Sequence, residues 1–411
     1  MTVLIHHTLG KDSVLCTGCA ACAAICPEDA ITMIADGEGF LHPNIHLASC
    51  TDCRLCLKVC PVNRSMIKET SRDTQDKTGN FPKVLAAWHL DSEIRGQSSS
   101  GGVFSALAEN ALNKGGVVVG ASFDEELVVR HCIIEKHADL HKLRGSKYVQ
   151  SQISPNLYRA MLSLLKDGRT VLFSGTPCQV AAVKNISKKF HDTLFCCDIL
   201  CHGVPAPRLF ARYILAHSAS GDTLTNISFR DKKTGWKKFS ITQHFSDGRS
   251  KSSAISDDPY MLAFLRNYTL RPSCYDCKFT NLTRFGDLTL ADFWGVEKNY
   301  PEYDKEDKGT SLVLVNSDKG QTWLENCRGQ LFLGPADIHT AIVRNPMLVQ
   351  PARKPIERIT FYHDLETLGF DALVLKYQLH KQKHPFHIRI IRSIKRRVKI
   401  ATTKLTRQGQ K

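Results

Sequence analysis

The chain has 411 residues, 42% of them hydrophobic, which is enough for real cores in two or three domains. No apolar run approaches the ~18 residues that cross a bilayer as a helix; the longest, such as 117–121 and 312–315, read as buried strands. The net charge is +15, but eleven Lys or Arg and no Asp or Glu fall in residues 381–411, which leaves +4 for the rest and argues against a body that binds nucleic acid.

In chain order, the first feature is a duplicated cysteine run. Cys16, Cys19, Cys22, Cys26 and Pro27 recur 34 positions later as Cys50, Cys53, Cys56, Cys60 and Pro61. Both copies read C-x2-C-x2-C-x3-C-P, the ligand run of bacterial two-cluster ferredoxins. Three thiolates at this spacing wrap one cubane, and the fourth cysteine, expected to start a helix, ligates the other cluster. One [4Fe–4S] cluster then takes Cys16, Cys19, Cys22 and Cys60, and the other takes Cys50, Cys53, Cys56 and Cys26. Gly18 and Ala20 are small and let backbone N–H groups approach the sulfides, and the two prolines suit a turn. Zinc sites pair two C-x2-C units instead. A disulfide framework needs an oxidising compartment, and residues 1–11 show no signal peptide, so a cytoplasmic location is expected.

Residues 1–62 therefore form a ferredoxin-type unit with a hairpin at 30–34 and 39–43, and a polar linker covers 63–82. From residue 83 strands and helices alternate. Strands are expected at 84–88, 116–123, 128–134, 170–174 and 194–200, and helices at 102–114, 154–166 and 177–187. A meander follows at 225–230, 238–245 and 250–253, then a helix at 258–267 and strands at 288–291 and 311–316. The pattern gives an α+β chain: a two-cluster bacterial ferredoxin domain, then a mixed α/β domain. Its parts are 83–165 and 166–345, followed by a helical extension, 346–380, and the basic tail, 381–411.

Four further cysteines stand out. Cys274 and Cys277 form a lone C-x2-C, and Cys178 and Cys201 each follow a strand. They can converge into a four-thiolate site, or Cys178 and Cys201 can be small buried residues. Cys197 is an alternative to Cys201 if the strand ends earlier. Ser98, Ser99, Ser100, Gly101 and Gly102 open a helix whose free N–H groups suit a phosphate, or else make an ordinary cap. In the cluster of Gly145, Ser146, Lys147 and Tyr148, the lysine can pair with phosphate or a flavin edge and the tyrosine can stack; a solvated loop is the alternative. His202, beside Cys201, suits a proton shuttle or a structural hydrogen bond.

Segments 98–104, 145–151, 174–179, 198–205, 273–279, 285–295 and 309–316 together resemble the beta subunit of coenzyme F420-reducing hydrogenases and dehydrogenases, in the form with a fused N-terminal ferredoxin. They follow family order over most of residues 83–340. The resemblance implies a flavoprotein domain with FAD near 98–102 and 145–148. It also implies a third [4Fe–4S] cluster on Cys178, Cys201, Cys274 and Cys277. Asp287, Asp292 and Gly295 lie in a family motif without an assigned role.

The implied activity is an oxidoreductase. It exchanges hydride at FAD with reduced coenzyme F420 or a similar donor, and passes single electrons through clusters to or from a redox protein partner. The alternative is an electron-transfer module serving a biosynthetic enzyme, since similar bacterial members lie beside genes for surface-polysaccharide synthesis. In the tail, Ile388, Ile391, Ile394, Val398 and Leu405 follow helical spacing among basic residues. Such a helix suits peripheral contact with an anionic membrane face or an acidic partner.

Overall fold

The computed structural model describes residues 14–63, 82–218 and 223–380. The expected linker beyond residue 63, the basic tail and residues 1–11 lie outside the described residues.

Strands β1 (Ile31–Ala35) and β2 (Leu41–Ile45) pair antiparallel as a hairpin, with Ile31 opposite Ile45. The second strand starts two residues later than expected, because Asp36 builds the turn. Its carboxylate accepts from the Glu38 and Phe40 N–H groups at 2.9 Å.

The main sheet has eight strands in the order β13-β3-β12-β11-β7-β6-β4-β5. In chain order these are β3 (Lys83–His89), β4 (Val117–Phe123), β5 (Val129–Ile134), β6 (Val171–Gly175), β7 (Leu194–Ile199), β11 (Leu288–Asp292), β12 (Ser311–Val315) and β13 (Leu331–Ala336). The four central strands β4, β6, β7 and β11 run parallel, and the flanking pairs are antiparallel. Strands from 83–165 and from 166–345 interleave in this one sheet.

Strand alternation divides two cores between the sheet's faces. Val118, Leu172, Phe195 and Cys197 face one core, with helix Val103–Asn113. Val117, Val119, Val171, Phe173, Leu194 and Cys196 face the other, with helices Pro155–Lys166 and Pro177–Ile186. Covering both faces explains why the central strands read as continuous apolar runs. Ala21, Ala24 and Val59 of the ferredoxin-type unit belong to the second core, so that unit is packed onto the sheet layer.

A second sheet, β8 (Leu224–Asp231), β9 (Ser240–Phe245) and β10 (Ser250–Ala254), is the expected antiparallel meander. It shares a third core with helices Pro207–Ser218, Pro259–Leu265, Arg358–Leu368 and Phe370–Lys376. Phe40 from the ferredoxin-type turn is fully buried in that core. The short helix Ser92–Gln97, the helix Pro207–Ser218 and strand β13 were not visible in the sequence.

Candidate iron–sulfur and flavin sites

Each copy of the duplicated run folds alike. Gly18 and its counterpart Asp52 have φ of 68° and 51°, and Ala20 and its counterpart Arg54 have 61° and 59°. Left-handed non-glycine residues cost of order 1 kcal/mol each, yet they recur in both loops. The turn they impose points successive N–H groups inward, a shape that suits anionic sulfur. Ala20 and Arg54 then begin the short helices Ala21–Ile25 and Leu55–Val59. Cys26 and Cys60 end those helices. This corrects the expectation that the fourth cysteine starts a helix: each helix carries the third cysteine, Cys22 or Cys56, and ends at the fourth, delivering it toward the other loop.

The thiols of Cys16, Cys19, Cys22 and Cys60 act electrostatically on one another. Cys26, Cys50, Cys53 and Cys56 line one recess. The two sets touch through Cys22, Cys26, Cys56 and Cys60, which share a small apolar cluster. The crossing of the fourth thiols follows from the two helices packing side by side.

A third set forms at the carboxyl ends of two parallel strands, where open α/β sheets place their sites. Strand β6 ends at Gly175. Thr176 and Gln179 then form a capping box, and Pro177 fixes the first helical turn. This puts Cys178 at the start of the helix, with its thiol 3.1 Å from the Thr176 hydroxyl. Cys201 follows β7, the neighbouring strand. The turn Pro272–Asp276 brings in Cys274, with Cys277 just after it. These four thiols line one cavity, together with Thr17 and Val62 of the ferredoxin-type unit. Cys178 and Cys277 also join the apolar cluster that holds Cys22 and Cys60, so the third set adjoins the first. Cys197 points elsewhere: it is fully buried within β7, in the core on the opposite face from Cys196.

All sixteen cysteines are free thiols. Burial pushes the Cys19 and Cys274 thiols up to about 12, and Cys56, Cys60 and Cys277 up to about 11. Cys201 rises well above its usual value for the same reason, and the other three thiols of its set push the same way. Buried thiolates packed together need a compensating cation, and bound iron supplies one. Among the described residues no group of three His, Cys, Asp or Glu is spaced to hold a single ion. A cubane spreads its four thiolates over separate irons, so it takes a wider set than zinc does. In donor number and chemistry, each of the three sets fits a cubane.

Two residues clamp the third set. The Asp198–Arg284 ion pair is fully buried at 2.6 Å. Arg284 also donates to Phe279 O at 3.0 Å, holding the segment after Cys277, while Asp198 lies three residues before Cys201. Sequence reasoning missed this pair; the only hint was an acidic residue at the end of an apolar strand.

The two segments expected at the flavin also meet. Ser99 Oγ accepts from the Ser146 N–H at 2.7 Å and the Ser146 hydroxyl at 2.9 Å. Ser98 closes the helix Ser92–Gln97, and its hydroxyl donates to Ile94 O. Ser100 Oγ donates to Thr310 O, and the Gly101 N–H donates to Ser311 Oγ. Gly102, with φ of 90°, starts helix Val103–Asn113 without a side-chain cap. The serines therefore do not cap this helix, which leaves its first N–H groups without a side-chain acceptor.

Lys147 turns inward to Lys142 O and Arg144 O at 2.9 and 2.8 Å, and burial pushes it down to about 7. Lys232 donates to Arg95 O, Ser100 O and Lys308 O at 2.6 to 2.8 Å, and burial, with Arg95 and Arg230 nearby, pushes it to about 7. Neither lysine has a carboxylate at ion-pair distance among the described residues. Both ammonium groups meet backbone carbonyls, which leaves positive charge that a group bearing phosphates can balance.

Asp292 now has a role. It takes a two-pronged ion pair from Arg230 at 2.7 and 2.9 Å and a hydrogen bond from Trp236 Nε1 at 2.7 Å. Arg230 in turn donates to Ser99 O and the Tyr148 hydroxyl, fastening the two segments together. Asp287 accepts from the Cys196 N–H and the Ser317 hydroxyl, which ties β7 to the segment after β12. Gly295 holds a turn at φ of 79° beside Arg344. Tyr148 packs 5.2 Å from Phe264, whose ring meets His202 at 5.1 Å, next to Cys201. His202 itself bonds Asn267 Oδ1 at 2.7 Å.

Fold and site thus define an iron–sulfur oxidoreductase with a ferredoxin-type unit seated on an α/β sheet. Residues 84–157 and 168–338 match the N-terminal and C-terminal models of the coenzyme F420 hydrogenase/dehydrogenase beta subunit, and residues 15–64 match the 4Fe-4S dicluster domain. The two beta-subunit models together span more than half of the chain, and the chain belongs to this family, in the form with a fused 4Fe-4S domain. A curated relative, one of the subunits of the F(420)H(2) dehydrogenase of Methanosarcina mazei, is 20% identical over 327 residues, 77% of this chain and 83% of that protein. A chain of the xenon-derivatised F420-reducing [NiFe] hydrogenase complex from Methanosarcina barkeri is 15% identical, with a TM-score of 0.45 over 71% of this chain and 94% of that one. No helix among the described residues is long and apolar enough to cross a membrane.

Proposed function

We propose that the chain exchanges hydride at a bound FAD, with reduced coenzyme F420 or a similar donor, and passes single electrons through three [4Fe–4S] clusters to or from a redox protein partner. The observation that carries this reading is the row of three four-thiol sets. It runs from the cavity of Cys178, Cys201, Cys274 and Cys277, through Cys16, Cys19, Cys22 and Cys60, to Cys26, Cys50, Cys53 and Cys56.

FAD supplies two-electron hydride chemistry with single-electron release, and cubanes accept electrons singly. The chain's own residues do the rest. Segments 98–102 and 145–148, with Lys232, form the seat for the phosphate-bearing part of FAD, offering it the uncapped start of helix Val103–Asn113 and the positive charge of Lys147 and Lys232. Arg230 and Asp292 hold its two binding segments together. Tyr148 and Phe264 exclude water between that site and His202 beside the third set. Cys53, the most exposed thiol of the second set, marks the face offered to the partner. The relative's role as part of a dehydrogenase supports such a partner.

The test is anaerobic mixing of the flavin-loaded chain with reduced F420 or with NAD(P)H. Bleaching of the flavin band followed by reduction of the clusters is expected with one of them. A flavin that neither donor reduces would defeat the hydride-exchange reading.

A further inference from the structure

Arg271 is almost wholly buried, at 1% exposure, yet no carboxylate pairs with it at ion-pair distance among the described residues. Its guanidinium spends its donors across the junction between the two units. Nε donates to Cys16 O at 2.7 Å, Nη2 to Leu41 O at 2.9 Å, and Nη1 to Gln150 Oε1 at 3.0 Å. Gln150 completes the bridge by donating from Nε2 to Thr17 O at 2.9 Å.

The backbone of the same residue ties the third thiol set together. The Arg271 N–H donates to Val204 O, three residues past Cys201, and its carbonyl accepts from the Cys274 N–H at 2.9 Å. Gly18 must also lack a side chain here: a Cβ would lie 2.7 Å from Arg271 Nη1 and 2.9 Å from Leu41 O. The first cysteine loop is thus shaped to receive this guanidinium.

We propose that Arg271 is a positioning residue that docks the third thiol set against the first and keeps a permanent cation between them. The inference rests on the three-cluster reading. A cation shared by two neighbouring clusters makes both easier to reduce, because each gains negative charge on reduction. It also fixes their separation.

The test uses the full chain, reconstituted anaerobically with iron and sulfide, in wild-type, Arg271→Gln, Arg271→Lys and Gln150→Met forms. Iron is counted, and the clusters are titrated by electron paramagnetic resonance. In Arg271→Gln the expected result is about twelve irons and weaker magnetic interaction between the first and third clusters. Their reduced-to-oxidised ratio at a fixed potential should fall about tenfold, which is 59 mV for one electron, while the second cluster stays unchanged. Arg271→Lys should recover the ratio but not the interaction. If Arg271→Gln sheds iron, Gln150→Met carries the test, with full iron and a weakened interaction expected. Full iron with an unchanged interaction and unchanged titrations overturns the proposal, as does an equal shift of all three clusters. About eight irons in the wild-type chain would instead defeat the three-cluster reading, whatever Arg271 does.

Discussion

Cys197 and Cys201 are four residues apart on one strand and its exit, and the backbone gives them opposite surroundings. Cys197 pairs with β11 inside the sheet and packs among Leu172, Phe195 and Leu288. Cys201 sits past the last sheet residue, Ile199, in a cavity with three other thiols. Cys201→Ser is expected to lose about four irons per chain, measured by iron assay, while Cys197→Ser keeps them. The reverse result would move the third cluster. Lys147 and Lys232 give a second residue-scale prediction. Both lie near 7 in the ligand-free chain, and a phosphate anion favours the ammonium form. FAD affinity should therefore be level below pH 7 and fall as pH rises above it, because binding then requires proton uptake. Flavin fluorescence titrations at several pH values read this; affinity that rises with pH would contradict it.

The duplicated cysteine run was legible because its chemistry is local: four ligands and a proline within a dozen positions in each copy. Strand–helix alternation was legible too, since β6, β7 and β12 are continuous apolar runs buried on both faces. What escaped was long-range. Arg271, Arg284 and Asp198 are buried charges, and Lys232 a half-buried one, whose partners lie far along the chain. A composition rule places such residues on the surface. The Asp198–Arg284 pair decides how two ligand-bearing elements meet. Arg284→Leu would leave Asp198 as an unpaired buried charge, costing about 3–5 kcal/mol. A lower thermal midpoint is expected, and the iron of the third set should be released before that of the others. Iron loss starting at the exposed second set would argue against this clamp.

At the scale of the molecule, the ferredoxin-type unit is not a tethered carrier. Its two short helices share a core with Tyr158, Met161 and Val183 of the main domain. Tyr158 OH donates to Cys19 O at 2.9 Å, Asn185 to Val59 O at 3.2 Å, and Arg358 of the helical extension forms an ion pair with Glu38. A rigid seat of this kind suits a fixed electron path, whereas a swinging domain would deliver electrons by diffusion. It also explains why the chain separates into motifs in sequence but into layers in space. The most direct measurement is iron and flavin content, with an optical spectrum, on the chain purified without oxygen. About twelve irons and one FAD per chain are predicted. About eight irons and no flavin would contradict a three-cluster flavoprotein and leave a two-cluster ferredoxin fused to a binding domain.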